Sequence, residues 1–113
     1  MLLSCVDSSE SKKYALDSPE AQGFDLFIRM ACNACHSVDG SLGRGPTLIN
    51  HMEKEIRHTD GSVAVIDDDY IHESIVNPQK YIAEGFPPIM PSYESVLSKG
   101  DIKNIIEYIR SLK

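Results

Sequence analysis

Residues 32–36 read Cys32-Asn33-Ala34-Cys35-His36, the C-x-x-C-H pattern of covalent c-type haem attachment. The spacing has a chemical reason. Two thiols three residues apart on one helical turn reach the vinyl groups along one edge of a porphyrin, and the adjacent imidazole meets the iron from one face. In this composition the three residues fall at those places by chance in roughly one chain in several hundred, so the pattern carries information. A thioredoxin-like C-x-x-C needs a preceding strand in a βαβ setting, whereas an amphipathic helix is expected before Cys32. A structural zinc site needs four ligands. Cys32 and Cys35 with one or two of His51, His58 and His72 are the candidates, but no second close-spaced pair exists. A Cys32–Cys35 disulfide is the least favoured of the rivals.

An iron held on one face by His36 calls for a second axial ligand downstream. The candidates are Met30, Met52, Met90, His51, His58 and His72. Met30 stands two residues before Cys32, too close to reach the opposite face of the ring. Met90 lies 54 residues beyond His36, far enough for the chain to travel round a haem. Its setting is Gly85-Phe86-Pro87-Pro88-Ile89-Met90-Pro91-Ser92-Tyr93. Pro87, Pro88 and Pro91 fix φ and remove backbone donors, so this stretch reads as a stiff extended loop. Stiffness suits a weak thioether ligand, because the loop has little freedom left to lose on binding. Met90 is therefore the expected sixth ligand, with His51 and Met52 as alternatives. The competing view is that Met90 fills a core gap.

The chain on either side reads as a helical scaffold. Ser18-Pro19-Glu20 supplies an N-cap, a first-turn proline and a first-turn acid. Phe24, Phe27, Ile28 and Ala31 follow at i, i+3, i+4 and i+7, the spacing of a helix face leading into Cys32. Gly23 beside that stripe costs about 1 kcal/mol against Ala and points to close approach of another helix. Residues 37–48 hold three glycines and a proline, a loop that can lie against a flat ligand. Within it the Pro46 carbonyl is a candidate acceptor for His36 Nδ1–H, which would leave Nε2 for iron. Arg44 is a candidate partner of a haem propionate, with a solvated surface arginine as the plainer view.

Residues 55–65 read as a short β-hairpin turning at Asp60-Gly61. His51 and His58, beside or within it, are expected to be ordinary exposed residues. Residues 67–69 are three aspartates that open a helix bearing Tyr70, Ile71, Ser74 and Ile75, ended by Asn77-Pro78. His72 falls off that stripe and is expected to face solvent. Ser98 and Asp101 form a capping-box variant, and Ile102, Ile105, Ile106, Ile109 and Leu112 make one broad apolar stripe. This last helix is expected to pack on the first near Gly23 and Phe27.

Composition bounds the reading. The 113 residues, 42% apolar and 25% charged, suffice for one ordinary domain and exclude a catalytic α/β domain with its own substrate domain. No apolar run approaches the ~18–20 residues of a membrane-spanning helix. A net charge of −6 argues against nucleic acid as the main partner and favours docking on a basic surface. Trp is absent and three cysteines cannot all pair within one chain, so a bound group filling the centre would help so small a domain.

The whole pattern over about residues 18–113 resembles a class I c-type cytochrome. It is similar in particular to the cytochrome c domain of caa3-type cytochrome oxidase subunit II. The shared stretches are Cys35-His36-Ser37-Val38-Asp39-Gly40, the Asp60-Gly61-Ser62 hairpin, Ser74-Ile75-Val76-Asn77-Pro78 and residues 87–93, ending in Tyr93. The resemblance implies an all-α cytochrome c fold, its N- and C-terminal helices packed across each other around one covalent haem c, with a small β-hairpin insertion. It implies thioethers at Cys32 and Cys35, axial ligands His36 and Met90, and supporting places for Pro46, Arg44 and Tyr93. The implied function is one-electron transfer between a respiratory donor, such as an upstream cytochrome or reductase, and a terminal oxidase. The alternatives are a haem subunit fixed in an oxidase complex and, in another class, a haem peroxidase or gas sensor. The fused enzymes also carry membrane helices and a copper domain, for which this chain has no room. Residues 1–17 are expected to form a flexible tether. Met1-Leu2-Leu3-Ser4-Cys5 resembles the end of a bacterial lipoprotein signal, although the basic start and full apolar core are missing. An incidental cysteine at Cys5 is the equal alternative. The implied location is the periplasm or the outer face of a bacterial cytoplasmic membrane, with lipid anchoring if Cys5 is modified.

Overall fold

The computed structural model describes residues 17–113. Cys5 and nearly all of the expected tether lie outside the described residues. Among the described residues the regular structure is three α-helices, one 3₁₀ turn (Cys32–Ala34) and a two-stranded antiparallel sheet: α1 (Pro19–Arg29), β1 (Glu55–Arg57), β2 (Val63–Val65), α2 (Asp68–Val76) and α3 (Lys99–Arg110). Each boundary has a local cause. Ser18 Oγ accepts from the Ala21 amide at 3.1 Å to start α1, with Pro19 in the first turn. Asp67 accepts from the Tyr70 amide at 2.8 Å to start α2, which stops at Asn77 before Pro78. Ser98 and Asp101 complete a reciprocal capping box on α3.

The core is the crossing of α1 and α3. Gly23 makes it possible: a Cβ there would lie 1.9 Å from the Asn104 carbonyl oxygen on α3. The two backbones touch, as the isolated glycine suggested. Phe24 and Phe27 each stack tilted on Tyr108 with ring centroids 5.3 Å apart, a favourable aromatic geometry. Asn104 Nδ2 donates to Gln22 Oε1 at the edge of the crossing. The whole expected stripe of α3 is buried, and Tyr108 joins it at 1% exposure. Each such side chain stabilises the fold by about 1.5–3 kcal/mol before entropy is subtracted.

Two expectations about α1 need correction. Leu26 is in the core, whereas Ile28 is 44% exposed. Ala31 is exposed and does not continue the helix. The helix ends at Arg29, Ala31 takes a left-handed φ of 61°, and a 3₁₀ turn follows over Cys32–Ala34. Ala31 lies two residues past the helix end, because a 3.6-residue period cannot announce where a helix stops.

The hairpin pairs Glu55 with Val65, Ile56 with Ala64 and Arg57 with Val63. Beyond Arg57 the chain goes on to pair with a later segment. His58 bridges Ala83, the Thr59 amide donates to the Ile82 carbonyl at 2.8 Å, and the Glu84 amide donates to the Arg57 carbonyl at 2.9 Å. The insertion therefore ties into the chain that leads to Met90. At the far end of the molecule Arg110 of α3 pairs with Asp68 of α2.

Candidate functional site

One large apolar cleft opens between α1, α2, the residue 32–48 segment and the proline-rich loop. It holds about 1130 Å³ of empty space including its open mouth. Cys32, Cys35, His36, Arg44, Pro46, Met90 and Tyr93 all line it. The seven residues singled out from sequence are thus brought to one place.

The turn after α1 sets the first three. Amides of Cys35 and His36 both donate to the Cys32 carbonyl, at 3.2 and 3.0 Å, which folds the motif into a single tight turn. Cys32 and Cys35 are thiols, and burial pushes the Cys32 pKa up. His36 Nδ1 lies 2.8 Å from the Pro46 carbonyl oxygen. That oxygen can only accept, so Nδ1 carries a proton, and in the neutral ring Nε2 is the nitrogen with the free lone pair. Gly45 packs flat on the same ring: a Cβ there would come within 2.5 Å of Cε1. The imidazole is therefore fixed in both tautomer and plane before any metal is considered.

The loop carrying Met90 is fastened to the end of α2. The Tyr93 amide donates to the Ile75 carbonyl at 3.0 Å and Ser92 Oγ to the Val76 carbonyl at 2.7 Å. Gln79 Nε2 makes longer bonds to the Pro88 and Met90 carbonyls, at 3.3 and 3.4 Å. The Tyr93 hydroxyl donates to the Met30 carbonyl at 3.0 Å and so joins the loop to the end of α1. Burial raises the Tyr93 pKa first, and the nearby Cys32 and Cys35 add to it. Arg44 is exposed at the mouth.

The histidines depart from expectation. His51 is half-buried and lines the cleft, and burial with the nearby Lys54 pulls its pKa down to about 4. His58, expected at the surface, is 1% exposed. It clusters with Tyr70 and Tyr81, whose rings also lie against each other with centroids 6.5 Å apart, and both tyrosines line the cleft. His72 is half-buried rather than open to solvent. Met30 and Met52 pack at the core edge and Met90 is the methionine on the cleft wall. Gln79, Ser92 and His58 were missed from sequence. Only the proximity of Gln79 and Ser92 to the proline loop could have drawn notice to them.

Two crossed helices over an apolar cleft, with two thiols and a tautomer-fixed imidazole in its wall, define the class I c-type cytochromes. The cytochrome c family model matches residues 20–113, and the chain belongs to that family. No curated protein matches the chain significantly. The family's cofactor is haem c, an iron porphyrin bound covalently, and the chain is a haem-based electron carrier. The residues present fit that group. The cleft wall is apolar, Gly45 leaves room for the ring of His36, and the donor set of imidazole nitrogen, thioether sulfur and two thiols suits iron and a porphyrin edge. Among the described residues, no helix is long and apolar enough to cross a membrane.

Proposed function

We propose that Cys32 and Cys35 hold the haem through thioethers, that His36 and Met90 are its axial ligands, and that the chain passes single electrons from a respiratory donor to a terminal oxidase. The observation that carries this reading is the fixed His36 tautomer, with Nε2 unprotonated in the same cleft wall system as Met90. Bound there, the haem supplies the one-electron couple. The polypeptide keeps the same two ligands in both oxidation states, so little rearranges when an electron moves. A soft thioether and an apolar pocket favour the less charged ferrous state and raise the potential. Arg44 serves a propionate at the cleft mouth. Exposed Ile89 and Tyr81 border the opening and give a redox partner apolar ground to dock on.

In this reading residues 18–113 form the haem domain, and Cys5, outside the described residues, is either a lipidation site or an incidental cysteine. The proposed location is outside the cytoplasm, in the periplasm or on the outer face of a bacterial cytoplasmic membrane. The relationship to the caa3-type oxidase domain, drawn from residues 35–40, 74–78 and 87–93, makes a terminal oxidase the proposed acceptor.

The test is the matured protein and two variants. A denaturing gel stained for haem should show the band in the parent and in Met90→Ala, and lose it in the Cys32→Ala/Cys35→Ala double variant. Reduced Met90→Ala should bind carbon monoxide rapidly and have a lower reduction potential, while the parent stays low-spin and unreactive. A parent that binds carbon monoxide as fast as Met90→Ala would remove Met90 from the iron. A colourless parent would remove the haem reading altogether.

A further inference from the structure

His58 is the one buried polar side chain of the described core, and both its ring nitrogens are engaged. The partners fix the direction of every bond. Ser62 Oγ donates to the Asp60 carboxylate at 2.6 Å, so it accepts from His58 Nδ1–H at 2.9 Å. His58 Nε2 then accepts from the Tyr70 hydroxyl at 2.7 Å. A directed chain thus runs from cleft-lining Tyr70 through His58 and Ser62 to exposed Asp60. The same ring is stacked on Tyr70 and on Tyr81, with centroids 5.6 and 4.9 Å apart. Three elements meet at this one imidazole: the hairpin, α2 and the segment 81–84. Backbone pairing of Thr59 with Ile82 and of Arg57 with Glu84 flanks it. Six residues after Glu84 comes Met90.

We propose that His58 is a positioning residue for the Met90 arm, holding segment 81–84 against the hairpin and α2 so that the following loop delivers Met90 to the cleft. The inference rests on Met90 being the sixth ligand. A buried imidazole with both nitrogens satisfied is costly to replace, because Tyr70 and Ser62 would each lose a partner. Ring contact alone does not require histidine, since phenylalanine would offer the same flat face to this three-ring cluster. The hydrogen bonds are what histidine adds.

The experiment compares reduced holoproteins of the parent, His58→Phe, Met90→Ala and the double variant, using carbon monoxide as the probe. His58→Phe should keep its haem stain and bind carbon monoxide about tenfold faster than the parent, the population ratio expected for losing one or two buried hydrogen bonds. Amide exchange at Thr59 and Glu84 should speed up in the same variant. Adding His58→Phe to Met90→Ala should change the carbon monoxide rate by less than about twofold, as expected of residues acting through one another. A His58→Phe rate equal to the parent's, or an equal acceleration in the Met90→Ala background, would overturn the proposal. A Met90→Ala rate equal to the parent's would instead overturn the ligand reading on which it rests. Should His58→Phe yield no holoprotein, Tyr70→Phe removes one bond and keeps both rings; it should show the same trend at smaller size, and an unchanged rate there also overturns the proposal.

Discussion

Burial in the cleft is the main cause that holds the pKa of His51 down to about 4, and the Lys54 ammonium pushes the same way. An unfolded histidine titrates near 6.5. Between those values the unfolded chain takes up a proton that the native protein refuses, so stability falls as pH drops through that window. Above about pH 6.5 the contribution is complete, and it is spent by about pH 4. Replacing His51 with Gln should flatten this part of the stability profile of the holoprotein, read from denaturant midpoints across the window. Parallel profiles for parent and variant would place the proton elsewhere. Asp60 acts in the same sense at lower pH: the Ser62 hydroxyl and amide hold its carboxyl below the usual range, so acid removes the acceptor at the end of the His58 chain.

At the scale of elements, the α1–α3 crossing is governed by Gly23. Helix propensity by itself favours Ala there by about 1 kcal/mol. Packing opposes it, because the added Cβ would meet the Asn104 carbonyl oxygen at 1.9 Å and that atom is backbone. The helices would have to separate and loosen the contacts of Phe24 and Phe27 with Tyr108. Overpacking of this kind costs about 1–3 kcal/mol or more, and a clash with backbone lies at the upper end. Gly23→Ala should therefore lower stability by about 2 kcal/mol in urea unfolding; a neutral or stabilising result would show that the helices stand farther apart.

For the whole molecule, the net charge of −6 sets how it meets others. A long-range field of that sign steers the chain to basic surfaces, and salt removes the steering. Raising ionic strength from about 0.01 to 0.15 M shortens the screening length from about 30 to 8 Å. Electron transfer to a basic redox partner should slow across that range in stopped-flow measurements. A rate independent of salt would leave the apolar ground near Ile89 and Tyr81 as the sole basis of docking. Placement of the hairpin matters at this scale too, because it braces the chain on the Met90 side of the cleft against α2.

Helix starts, the presence of the hairpin and the haem motif were legible in the residues because each depends on neighbours a few positions away. The register, pairing Arg57 with Val63 around a three-residue loop, was not. Ser18, Asp67 and Ser98 cap their helices wherever those helices go, and Cys32, Cys35 and His36 carry their chemistry within one turn. Even the closeness of Gly23 to another helix could be anticipated, since a glycine in a helix interior needs a reason. His58 offered no such clue: its burial arises only when Tyr70, twelve residues on, and Tyr81 converge on it. His51 likewise became a cleft residue only once the loop closed over His36. Sequence by itself determined which groups can hold an iron porphyrin; the tertiary structure decided which of the remaining polar groups are shut away from water, because burial is a property of distant segments meeting and not of any one of them.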